Sequence, residues 1–165
     1  MIDYIRQSLL GQFESALAMH HECISLCPAV QWDQPIANYP FWVVAYHTLC
    51  YADLFMTPGG EKAFSPRPIH PKGWYEYEAE FPSRRFEQAE LVEYAIVCRD
   101  KARTVLPSET EASLSGPSGF ARQPFSRLEL HLYNLRHIMH HTGQLSAFLR
   151  KANVDTRWVK TGWPA

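Results

Sequence analysis

Residues 126–151 read SRLELHLYNLRHIMHHTGQLSAFLRK, and the periodicity of this stretch decides the fold. Leu128, Leu135, Ile138, Leu145 and Leu149 recur at the spacings of a helix with one buried stripe. Ser126, followed three residues later by Glu129, is a capping-box signature that fixes where the helix begins. At about 100° per residue, His137 and His141 stack one turn apart on the arc that also holds Leu130, Ile138, Leu145 and Phe148. Both imidazoles are therefore expected to point inward. His140 points about 100° away from His141 and reads as a surface residue.

Three further helices follow from the same reasoning. The first spans 2–26, with Ile2, Ile5, Leu9, Phe13, Ala16, Leu17 and Ile24 on one stripe, and Pro28 ends it. A linker with three prolines, PAVQWDQPIANYP, leads into a second helix over 38–55. Its segment FWVVAYHTLCYADLF is almost wholly apolar, which predicts burial on most sides, and TPGG at 57–60 stops it. A third helix is expected over 83–106, with Ser83 as N-cap and Pro107 beyond its end. No strand-like alternation of any length competes. The expected fold is all-α, a four-helix bundle in a single domain over 1–165.

The connections 58–82 and 107–124 are long and rich in Pro, Gly, Ser and aromatics. The first is long enough to carry the chain back along the bundle, so that the second and third helices run parallel. Loops of this length serve as pocket walls or as plain surface excursions.

A net charge of -1 supplies no field for nucleic acid or an anionic membrane. No apolar run approaches the roughly 20 residues that cross a bilayer, and the N-terminal stretch lacks a charged-then-apolar signal layout. A cytoplasmic protein is the default expectation. Cys23, Cys27, Cys50 and Cys98 lie in apolar helical stretches and read as small core residues in a reducing compartment.

Eight histidines are present, and their placement matters more than their number. His47 sits in the middle of the apolar second helix, with Val43, Val44, Tyr51 and Leu54 on its side. A single buried histidine is usually satisfied by a carbonyl or a hydroxyl. A mid-helix histidine facing an i, i+4 pair on another helix points instead to one divalent ion held by His47, His137 and His141. Three imidazoles leave at least one coordination position open, and the ligand type suits zinc first and nickel second.

The stretch 131–150 resembles the last-helix motif of the DinB-like superfamily, with His137-x-x-x-His141 followed by Gly143, Gln144 and Leu145. Trp32 and Pro35, then His47 in VVAYHTL, match the family's linker and its mid-helix histidine. The resemblance covers roughly 1–152, though its specific part is confined to these two helices. It implies a four-helix bundle with a long crossover between helices 2 and 3, a three-histidine metal site, and frequent homodimers. Members with assigned activities include enzymes that use a low-molecular-weight thiol, such as mycothiol-dependent maleylpyruvate isomerase and bacillithiol transferases.

If the first two helices are antiparallel, His47 lies about 14 Å along its helix, at the level of His20. His20 is then a partner of the site, a fourth ligand, a proton carrier, or a hydrogen-bonded interior residue. A cluster of His20, Cys23 and Cys27 is a weaker alternative, because three ligands from one helix rarely surround an ion. Trp74, Tyr75 and Tyr77 either line a pocket or pack the crossover, and His70 could reach the site from that segment. Asp53 points away from His47, so no general base is assigned, and no phosphate loop, dinucleotide fingerprint or nucleophile elbow occurs. Three functions remain: a metal-dependent enzyme on a small-molecule substrate (transferase, isomerase or hydrolase), a noncatalytic metal-binding stress or detoxification protein, and a bundle with merely structural histidines.

Overall fold

The computed structural model describes residues 1–164, and the chain is mostly helical. Four long helices dominate: α1 (Ile2–Leu26), α2 (Phe41–Phe55), α4 (Gln88–Ser108) and α6 (Arg127–Lys151). Between them lie a ribbon of two-residue strands, β1 (Pro35–Ile36) and β2 (Tyr39–Pro40), and the short helices α3 (Tyr75–Glu78) and α5 (Glu111–Ser115). The strands pair antiparallel, Pro35 with Pro40 and Ile36 with Tyr39.

Cross-helix contacts give the directions. Along α2 and α4, Leu49 O accepts from Cys98 Sγ and the Asp53 carboxylate accepts from Lys101 Nζ, so the two helices run parallel. Carbonyls at the C-terminal end of α1 accept from Gln88, while Glu14 pairs with Arg103, so α1 and α4 are antiparallel. Ala52 O accepts from Asn134 Nδ2 and Phe55 O from Arg127, so α2 and α6 are antiparallel as well. α1 and α2 each pack against both α4 and α6 and touch one another little. Phe13, Leu17, Ile24, Phe41, Leu49, Leu91, Leu130, Ile138 and Leu145 fill one continuous core between them. The four cysteines are buried and free.

Several boundaries differ from the sequence reading. α2 begins at Phe41 rather than 38, because the β1–β2 ribbon uses residues up to Pro40 and proline there starts the helix. α4 begins at Gln88 rather than near Ser83. Its cap is Glu87, whose side chain accepts from the Glu90 N–H while the Glu90 carboxylate accepts from the Glu87 N–H. Ser83 is used elsewhere, donating to Glu76. The same helix runs through Pro107 to Ser108. Ser126 does cap α6, accepting from the Glu129 N–H at 3.1 Å.

The two long connections are clipped together. Glu61 N–H donates to Gly119 O at 3.1 Å, and Gly60 and Gly119 both have positive φ. A Cβ at Gly60 would lie 2.4 Å from Gly119 O, so only glycine admits this backbone contact.

A buried arginine closes α2. Arg127, 5% exposed, donates to Phe55 O, Met56 O and Thr57 O, the orphan carbonyls past the last turn. Its Nε donates to Glu109 Oε1 at 2.9 Å, and that oxygen also accepts from His131 Nε2–H at 2.8 Å. Burial raises the Glu109 pKa, but His131, Ser113 and Arg127 outweigh it and hold it at about 2. Arg127→Met should cost about 3–5 kcal/mol, since it strands a buried carboxylate and three carbonyls. Urea denaturation at neutral pH measures this, and a loss under about 1 kcal/mol would show that the cluster holds little.

Candidate metal centre

Of the 15 residues of α2, only His47 and Tyr51 are not buried. They stand one turn apart on the side where α6 and the crossover leave an opening. His137 and His141 stand one turn apart on the facing side of α6. The three rings cluster, with centroids 5.1 Å (His47–His137), 5.0 Å (His47–His141) and 4.7 Å (His137–His141) apart. One nitrogen from each lies within 4.8 Å of the others. The pair on α6 is half-buried rather than directed into the core as expected. The arc shared with Leu145 continues to the rim of the core, and the histidines occupy that rim.

The donor set fits an ion. His47 Nε2 and His137 Nε2 are 3.2 Å apart. Tetrahedral ligation at 2.0–2.1 Å places two nitrogens about 3.3–3.4 Å apart. Two neutral imidazoles can share only one proton across that gap, and His137 Nδ1 is buried without a partner. His141 Nδ1–H donates to Gln144 Oε1 at 2.8 Å, which leaves Nε2 as its lone-pair nitrogen.

Burial depresses all three imidazoles toward the neutral, ligating form. His47 is brought down to about 4 by burial and then by the His141 charge. His137 falls to about 3 through burial and its neighbours His141 and His47. Burial also lowers His141, against the Gln144 hydrogen bond.

His20 stands at the expected level but keeps no free nitrogen. Its Nε2–H donates to Ala45 O at 3.2 Å, and Nδ1 accepts from Thr142 Oγ1 at 3.0 Å. It therefore ties the two histidine-bearing helices together as an interior residue. Cys23 and Cys27 are buried, their thiols pushed up to about 12 mainly by burial, and they do not group with His20 around a common point. His140 is exposed, as its angle predicts.

A cavity of about 530 Å³ opens beside the three histidines. His47, His141 and Gln144 form one wall, the turn of the β1–β2 ribbon another, and α3 with the segment up to Pro82 the third. The crossover thus serves as a pocket wall, through Tyr77. Trp74 instead packs edge-on against Phe64, and Tyr75 is exposed.

His70 does not reach the three histidines; it is buried behind the cavity wall. Asp53 is fully buried and paired with Arg67 and Lys101. Burial raises its pKa, but these two cations prevail and lower it, leaving an acceptor-only carboxylate. Tyr94 O–H donates to Asp53 Oδ2 (3.2 Å), His70 Nε2 lies 3.0 Å from Tyr94 Oη and 2.9 Å from Tyr77 Oη, and His70 Nδ1 lies 2.6 Å from Tyr46 Oη. No local pattern announces this network, because its members come from α2, the crossover and α4.

No protein-family model matches the chain, and no curated protein matches it. Among the described residues, no helix is long and apolar enough to cross a membrane.

Seven histidines have pKa values lowered from 6.5, among them His20, His47 and His70 at about 4 and His137 at about 3. Between those values the unfolded chain binds more protons, so stability falls as pH drops. The metal-free protein should lose thermal stability steadily from pH 6.5 toward pH 4. A melting temperature flat across that window would contradict these shifts.

Proposed function

We propose that this chain is a four-helix bundle of the DinB-like type in which His47, His137 and His141 hold one divalent ion. On this reading it is a metal-dependent enzyme acting on small molecules, of the thiol transferase, isomerase or hydrolase kind. The observation that carries it is three imidazole nitrogens within 4.8 Å of one another on the edge of a cavity of about 530 Å³. That volume lies within the usual range for small-molecule sites. The α2–α3–α4 connection supplies the long crossover, and it walls the cavity.

An ion held by three neutral imidazoles supplies Lewis acidity, polarising a carbonyl or acidifying a thiol or water. Zinc is the first choice and nickel the second. The protein's own groups set the stage. Gln144 fixes the tautomer of His141, and His20 spaces α2 from α6. Tyr51, its ring 4.8 Å from His47, donates to Tyr77 O at 3.0 Å and so fastens the crossover to the histidine helix.

A noncatalytic metal-binding role in stress or detoxification is the second reading. It is favoured by the state of Glu76, the buried carboxylate on the cavity wall. Two backbone N–H groups and Ser83 already occupy it, which is poor placement for a general base.

Alanine at His47, His137 or His141 should each lower zinc affinity at least tenfold, and Gln144→Ala by about 10–100-fold. His140→Ala should change nothing. Elemental analysis and competition with a chromophoric chelator, on protein purified without a histidine tag, measure this. Unchanged zinc in the three ligand variants would remove the metal reading. If zinc binds, conjugation assays with bacillithiol, mycothiol and glutathione divide the enzyme from the noncatalytic protein.

A further inference from the structure

We propose that the cavity beside the three histidines binds a small organic cation, an amine or guanidine on an apolar or aromatic body. The proposal rests on the metal reading only for which end of the ligand faces the histidines. The charge of the walls is an independent matter.

Glu76, Glu78 and Glu80 contribute to the cavity surface, and no lysine or arginine does. Glu76 is 6% exposed and has no cationic partner. It accepts from the Ser83 N–H at 2.9 Å, from the Lys72 N–H at 3.3 Å and from Ser83 Oγ. Of the cations near Glu76, the Lys72 ammonium lies over the Tyr75 ring and Arg84 pairs with Glu90, while Arg122 acts on Tyr51 beside His47. Glu80 accepts only from the Tyr39 hydroxyl, at 3.3 Å. A buried carboxylate held by neutral donors keeps its full negative field, and a low-dielectric cleft focuses it. The rest of the wall is aromatic and aliphatic, including Tyr39, Tyr46 and Tyr77, whose ring faces attract cations.

The ligand's cationic end belongs against α3 and the segment that follows it, at Glu76, Glu78 and Glu80. Its apolar body lies along the tyrosines, and its other end reaches His47 and His141. The same field works against anionic ligands, so a thiol co-substrate bearing several carboxylates is disfavoured relative to a neutral one.

The test titrates the full-length, metal-free protein with benzylamine, benzyl alcohol and benzoate, followed by ligand-observed NMR at low salt. Benzylamine should bind about tenfold more tightly than benzoate, with benzyl alcohol between them, and salt should compress the difference. In the Glu78→Gln/Glu80→Gln double variant, which changes exposed positions only, benzylamine should weaken about threefold while benzyl alcohol holds. Benzoate binding as tightly as benzylamine, no binding of any probe, or an amine preference unaltered in the double variant overturns the proposal. Zinc affinity measured on the same samples keeps the two readings apart. Loss of zinc binding with the amine preference intact removes the metal reading alone, and the converse removes the organic-cation site alone.

Discussion

The burial of α2 governs the rest of the structure. Thirteen of its 15 residues are shut away from water, so its backbone position is fixed by packing from α4, α6 and the crossover together. The two residues that escape, His47 and Tyr51, do so at one place and face one opening. A helix gripped on all other sides presents those side chains with little freedom to drift, which suits positions that must meet partners on another helix. Polar interactions complete the grip where apolar contact stops. Arg127 satisfies the carbonyls at one end, and His20 bridges from α1 to Ala45 and Thr142 near the other histidines.

The three-histidine group and the fold share a cause. The parallel course of α2 and α4 demands a long connection, and that connection has to go somewhere. It folds back against the open side of α2 and places α3 opposite His47, so the crossover that topology requires becomes the cavity wall. The ribbon of β1 and β2 adds the remaining side by turning the chain sharply just before α2. Burial then does the electrostatic work, holding the imidazoles neutral at ordinary pH through loss of hydration.

Much of this was legible in the sequence, for physical reasons that differ from element to element. The long helices show because a buried stripe repeats near every 3.6 residues, and the histidine group shows because i, i+4 spacing on α6 is a property of helix geometry alone. The capping of α4 by Glu87 was obscured by Ser83, a stronger capping residue by type that is bound to Glu76 instead. The pairing of Asp53 was hidden because Arg67, fourteen positions on, and Lys101 are brought to it only by the fold. His70 sits between prolines with no periodicity to place it, and only the tertiary fold sets it among Tyr46, Tyr77 and Tyr94. Local spacing reveals partners on one helix. It is silent about partners that a loop delivers.

The contact between Gly60 and Gly119 has a reach beyond the turn it makes. It joins the root of the crossover to the loop that feeds α6, so the segment roofing the cavity and the helix carrying His137 and His141 share a hinge pin of bare backbone. A single methyl at either position would act as a wedge there. Its effect would surface across the molecule, in how wide the cavity stands and how squarely the two histidine helices confront each other.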